Sequence, residues 1–225
     1  SVFRMDRICN EALLRKVTTP RAAAAHIKNG MTVGFSGFTV IGYPKVLPVE
    51  LARRAEEGDI PALLGIIAQA QRYLRESGVD QWQDGYPTEK VLRTDMDFGQ
   101  GWVFEHGGEV AGYCCISMRH EPSYDVIDGA WLTQSTSDAA TYATIHRCAV
   151  SAAAARKGVM STLFDAVETM AREQGAASVR IDTHRANVRM RGLACKRGYT
   201  ECGVITLPYE HEADPTRIAY EKVLS

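Results

Sequence analysis

The chain has 225 residues, 45% hydrophobic and 24% charged, with a formal net charge of −1. That balance belongs to a globular protein rather than a disordered one, and no apolar run approaches the roughly 20 residues of a membrane helix. Nucleic acid is not expected as a partner, because duplex affinity rests on clustered Lys and Arg. Residues 1–57 hold nine Lys/Arg against five Asp/Glu, while the rest hold 17 against 22, so the chain changes sign from +4 to −5.

Taken in order, residues 20–29 carry the helix-favouring run Ala22–Ala25 and stop at Asn29-Gly30. A strand from Met31 then runs into a glycine-rich turn that Tyr43-Pro44 closes. Residues 49–55 read as a strand or a helix start. Asp59 is the expected cap of a helix over 60–77, with Leu63, Ile66, Ile67, Ala70 and Leu74 at helical spacing. A loop with Trp82 and Tyr86 follows, then a short helix from Thr88 to about Met96. Strands are expected at 101–106 and 109–118, joined by Gly107-Gly108. The polar stretch 119–141 reads as a variable loop. Beyond it lie a strand over 143–150, an amphipathic helix over 158–174, a strand over 178–183, a helix over 187–197 and strands over 199–206 and 216–224.

Six cysteines show no CxxC pair and no ligand spacing with histidine. They read as reduced, partly buried thiols of a cytoplasmic protein, and no metal is expected.

The chemistry concentrates at residues 146–161, where a strand enters a turn with Arg156-Lys157-Gly158 and then a helix. Such a junction collects unpaired backbone N–H groups at the positive end of a helix dipole, which suits a pyrophosphate. Gly158 lets the backbone approach it closely.

Together with residues 49–64, 144–171, 178–199 and 217–224, this stretch resembles the GNAT superfamily of acetyltransferases over about four-fifths of the chain. The resemblance implies a mixed α/β, mostly antiparallel sheet flanked by helices and splayed between its fourth and fifth strands. Acyl-CoA, acetyl-CoA in the first instance, would lie in the splay as co-substrate. Cys148 and Val150 then occupy the strand that offers backbone groups to the acyl carbonyl and pantetheine. Arg156, Lys157, Gly158, Val159, Met160 and Ser161 form the pyrophosphate loop, and Asn187 meets the pantetheine arm. The expected acceptor is a primary amine of a small molecule or a protein N-terminus.

Two departures from the family pattern stand out. Ala155 and Met160 replace an Arg/Gln and a small residue of the loop, and Ala194 stands where a tyrosine often protonates the leaving thiolate. A second reading follows from them: a degenerate GNAT fold that binds CoA or a partner without catalysis.

Amine attack on a thioester needs a base. His146, two residues before Cys148 and on the same face if the strand alternates, matches a functional histidine of the similar arylalkylamine acetyltransferases. It reads as base or as a packed strand residue. Asp182 and His184, ending the next strand, would orient substrate or base, though His184 would equally cap the following turn. Cys195 is either a proton donor to the thiolate or structural filler. Trp82 and Tyr86 either cover the acceptor or pack on the short helix 88–96.

The first 48 residues resemble the start of acetyl-CoA hydrolases and CoA-transferases, most specifically at Ser36–Thr39 and Gly42–Lys45. They read as an appendage before the acyltransferase domain at 49–225, with the junction unplaced between 44 and 57. No CoA-transferase activity is expected from them. A homodimer is one way for their apolar residues to find cover.

Overall fold

A computed structural model describes residues 22, 26 and 52–224, apart from 107, 137–139, 156–157 and 209–213. Apart from Ala22 and His26, the helix and strand expected within 1–48, and the role of that segment, lie outside the described residues.

Eight strands form one sheet in the order β1-β2-β3-β5-β6-β8-β7-β4. They are β1 (Ala52–Arg54), β2 (Gly101–His106), β3 (Glu109–Ser117), β4 (Asp128–Gly129), β5 (Tyr142–Val150), β6 (Ser178–Thr183), β7 (Thr200–Thr206) and β8 (Thr216–Val223). Within residues 52–224 four helices flank it: α1 (Ile60–Glu76), α2 (Glu89–Asp97), α3 (Val159–Glu173) and α4 (Val188–Lys196). Every neighbouring pair is antiparallel except β5 with β6. Residues 52–54 are therefore strand, antiparallel to β2, rather than the start of a helix.

The helical spacing in α1 and α3 sets which faces are covered. Leu163, Phe164, Val167, Met170 and Ala171 of α3 pack on Cys114, Ile116, Ala143, Ile145, Val179 and Ile181 in the main core. Across the sheet, Ile66, Ile67 and Leu74 of α1 pack with Val79, Trp82 and Ala149. Truncating a wholly buried side chain such as Leu163 costs about 2–5 kcal/mol in transfer and cavity terms.

Two expected caps are used differently. Asp59 precedes α1 but makes no side-chain cap bond; its carboxylate takes both guanidinium nitrogens of Arg53 (2.7 and 2.8 Å) and the N–H of Glu56 (2.7 Å). It ties β1 to the first helix. Thr88 precedes α2, also without a side-chain cap bond.

The stretch expected to be a variable loop, 119–141, is built in. It contains a 3-10 turn (Pro122–Tyr124) and the short edge strand β4, which pairs with β7. The contact of β4 and β7 is made between Gly129 and Gly203, where a Cβ on either would fall 2.1–2.2 Å from the opposite carbonyl oxygen. Glu221, wholly buried, takes the N–H of Leu132 (2.5 Å), Ser178 Oγ (2.5 Å) and Arg180 Nε (2.9 Å), so the segment is anchored on β6 and β8.

β5 and β6 are paired over three residues only: Tyr142 with Ser178, Ala143 with Val179, Thr144 with Arg180. Past Thr144 the ladder ends while β5 stays bonded to β3 and β6 to β8. The sheet opens there into a wedge, which positions the site.

Candidate active site

A cavity of about 900 Å³ fills the wedge. Residues 145–150 of β5 line one wall, and Ile181, Asp182 and Thr183 of β6 the other. The side of β5 that would have met β6 presents backbone groups instead. Helix α3 closes one end and the 119–123 stretch the other.

At the α3 end, Gly158 precedes the helix in the left-handed region (φ +74°), where an L side chain is strained. Among the described residues the first bond back from the helix runs from Thr162 N–H to the Gly158 carbonyl (3.1 Å). The N–H groups of Val159, Met160 and Ser161, ahead of it, have the free donors of a helix start. Gly158, Met160 and Ser161 line the cavity. The side chain of Val159 does not; it is buried with Ala111 and Ala154, so that residue has only its backbone to offer. The N–H groups of Ala154 and Ala155 are spent on the Ser151 carbonyl (3.0 and 2.9 Å). Arg156 and Lys157 lie outside the described residues. Asn187 lines the cavity and caps α4, its Oδ1 accepting from Met190 N–H (3.2 Å), which leaves its amide N–H donors for a ligand.

Met160 does not crowd the turn. Its side chain packs on the main core and meets Cys148, Sγ to Sδ 3.3 Å. Burial pushes the Cys148 thiol up to about 12, so it stays protonated. Ala194 is wholly buried, and Cys195 is exposed and outside the cavity wall.

One expectation fails here for a clear reason. His146 and Cys148 do not share a face, because β5 bulges between them. Cys115 pairs with His146 and Tyr113 with Ala149, so Arg147 and Cys148 together stand against one residue of β3. Arg147 takes φ +51° in the bulge. Ile145 and Cys148 pack in the α3-side core, whereas Ala149 joins the α1-side cluster. His146, opposite Cys115 in the ladder, falls on the α1 side.

Arg147 is held by Asp95 of α2 through two hydrogen bonds (2.7 and 2.5 Å) and donates a third to Tyr86 Oη (2.7 Å). Tyr113 Oη also donates to Asp95 (2.7 Å). Trp82 and Tyr86 both line the cavity and pack on α1 and Ala149; Leu92 and Met96 of α2 belong to a different cluster.

At the opposite end His146 Nε2 lies 3.4 Å from Oε2 of Glu121. Burial pushes the Glu121 carboxyl up, but His146 and the Ser123 hydroxyl (2.6 Å) outweigh it and hold it at about 2. Asp182 is raised instead, mainly by burial, and accepts from Tyr124 Oη (2.8 Å). His184 is buried and outside the cavity wall. Its Nδ1 accepts from Ala186 N–H (3.1 Å), the turn-capping alternative, and its Nε2 is 3.5 Å from Asp214 without hydrogen-bond alignment.

Glu121, Tyr124, Asp95 and Arg147 were not singled out by sequence. Glu121-Pro122 is the visible trace: an acceptor side chain before a proline that opens a turn. Among the described residues no group of three His, Cys, Asp or Glu is gathered that could hold a metal, and no helix is long and apolar enough to cross a membrane.

The wedge, the α3 N-terminus and the bulged strand agree with comparisons to known proteins. The model of the acetyltransferase (GNAT) family matches residues 67–199. The chain belongs to this family. Acyl transfer from acyl-CoA is what the GNAT fold supports, and an acetyltransferase of the GNAT family from Streptococcus agalactiae 2603 is similar at 30% identity, with TM-score 0.68, over 77% of this chain and 95% of that one. A ribosomal-protein-alanine N-acetyltransferase from Brucella melitensis shares the fold at 19% identity and TM-score 0.54, over 77% of this chain and 99% of that one. Ahead of the GNAT match, the acetyl-CoA hydrolase/transferase N-terminal domain model matches residues 2–67, which takes in β1 and the first turns of α1. An acetyl-CoA hydrolase of Schizosaccharomyces pombe is 44% identical over 60 residues, 26% of this chain and 12% of that one. The chain spans 11–29% of the length of the curated relatives it matches.

Proposed function

We propose that the chain transfers an acetyl or other short acyl group from acyl-CoA to the nitrogen of an amine, by direct attack on the thioester. The observation that carries this reading is the His146–Glu121 pair, 3.4 Å apart, in the same cavity as Gly158 and Asn187. Acyl-CoA, when bound, supplies an activated acyl group. The N–H groups of Val159, Met160 and Ser161 suit its pyrophosphate, and Asn187 with the unpaired edge of β5 suits its pantetheine arm.

His146 is the candidate base. An amine reaches the site as an ammonium, which the ionised Glu121 favours, and must lose a proton before its lone pair can attack. With Nε2–H turned toward Glu121, Nδ1 of His146 is the atom that takes that proton. Asp182 and Trp82 shape the acceptor side, while His184 acts through the turn it caps. A cytoplasmic location suits the supply of acyl-CoA and the free thiols of the described cysteines.

The second reading, a CoA-binding protein without catalysis, draws on Ala155 and on Ala194, buried where the family often has its acid. Calorimetric titration with acetyl-CoA, followed by thiol release with a panel of primary amines, separates the two. Amine-dependent release that falls 100-fold or more in His146→Ala supports transfer; the lower bound is about the usual contribution of a general base. Binding with no release from any amine supports the second reading.

A further inference from the structure

The acceptor end of the cavity carries a charge that an amine alone does not use. Arg119 lies two residues beyond β3, its backbone N–H donating to Ser117 Oγ (3.1 Å), and it lines the cavity. Its guanidinium is stacked over the Phe98 ring, 4.9 Å from the centroid. Stacking occupies the face of the group and leaves its in-plane N–H donors for a ligand. The other donor groups at this end are engaged: Arg147 by Asp95, the His120 ring by Asp125, Arg217 by the carbonyls of Asp214 and Thr216. Among the described residues Arg119 meets no carboxylate and donates no side-chain hydrogen bond.

Arg119 and Glu121 stand two positions apart, so their Cα atoms are separated by no more than about 7 Å. One cavity wall therefore offers a carboxylate beside a base and, two positions earlier in the chain, an unspent fork of donors. That is the charge pattern of a zwitterion in reverse.

We propose that the acceptor is a free amino acid, its amine at Glu121 and His146 and its carboxylate held by the Arg119 fork. The proposal rests on the acyltransferase reading above and narrows it. A protein N-terminus carries an amide where this site expects a carboxylate, and a simple amine carries nothing.

The test uses three matched pairs that differ only in the carboxylate: phenylalanine and 2-phenylethylamine, leucine and 3-methylbutylamine, histidine and histamine. Thiol release from acetyl-CoA gives kcat/KM for each, and the ratio within a pair is the readout. The full chain should favour the amino acid in the pairs it uses. In Arg119→Ala that ratio should fall about tenfold or more, the worth of a charge-assisted hydrogen bond at an open site. Arg119→Lys should restore part of it, and Arg119→Glu should turn preference toward the simple amine. Equal or better use of the simple amines by the parent chain, or a ratio indifferent to all three variants, overturns the amino-acid assignment while leaving acyl transfer standing. Absence of amine-dependent release with every member of the pairs and with the broader amine panel fails the acyltransferase reading itself, and the assignment with it.

Discussion

Arg147 Nη2 lies 2.5 Å from Oδ1 of Asp95 and its Nε 2.7 Å from Oδ2, fastening the bulge of β5 to a helix 52 residues earlier in the chain. Both side chains are largely buried, at 15% and 5% exposure. Removing one partner strands the other as an uncompensated charge, so Arg147→Met or Asp95→Leu alone should cost about 3–5 kcal/mol in urea unfolding. The double variant should cost clearly less than the two added together, since neither charge then remains. Strict additivity would show that the pair does not hold the bulge as a unit.

Gly158 should matter for binding more than for folding. An alanine there meets nothing within 4 Å, so its penalty is the left-handed backbone alone, about 1–2 kcal/mol. Gly158→Asp adds a like charge beside the place a pyrophosphate would take, and calorimetry should show acetyl-CoA affinity reduced at least tenfold. An Asp variant that binds as the parent does puts the phosphate site elsewhere.

The two departures in the loop should not respond alike. Ala155 lines the cavity, and Ala155→Arg should tighten acetyl-CoA binding by up to about 1.5–3 kcal/mol, less in so open a position. Met160 packs on Cys148 and the main core. Met160→Gly removes that contact and places glycine in a helix, about 1 kcal/mol from propensity alone. Thermal melting should drop without a gain in affinity; a tighter Met160→Gly would show that the methionine obstructs the turn after all.

Opposed carboxylates give the site a pH signature. Asp182 is raised in the fold, mainly by burial, so its charged form is the disfavoured one. The folded protein is relieved of that penalty below the ordinary value of 3.8 and bears it in full once pH has risen through the raised value. Asp182→Asn keeps an acceptor for Tyr124 and should melt higher than the parent at pH 7, with the advantage shrinking as pH falls toward 4. Glu121 has the opposite sign. Its stabilisation is complete above about 4.5 and is lost as pH falls toward 2, so Glu121→Gln should melt lower at pH 7. Melting curves of both variants between pH 4 and 8 check the signs.

Much of the scaffold is readable because it is periodic. Leu63 to Leu74 recur at helical spacing and become the buried face of α1, and residues 178–183 alternate and become β6. The wedge followed only from the family resemblance, since nothing local to Thr144 announces where a ladder stops. The bulge was invisible: Arg147 carries no glycine or asparagine to mark a positive φ, and its conformation is held by Asp95, far away in sequence. The 119–141 stretch misled for a similar reason. Its polarity looks like solvation, yet Glu121 N–H bonds Tyr142 Oη 21 residues on, and Thr133 bonds Glu221 88 residues on. Polar residues whose partners are distant carry no periodic signal, and these supplied the half of the candidate site around Glu121.

The bulge has a consequence for traffic. Because Arg147 and Cys148 share one place in the ladder, a single strand shows Cys148 to the side of α3 and His146 to the side of α1. On the proposed acyltransferase reading, acyl-CoA and the amine would then meet the same short length of backbone from opposite sides of the sheet. Catalysis built on such a strand needs no covalent relay to carry the acyl group from one docking place to another. Initial-rate plots for the two reactants should therefore intersect rather than run parallel.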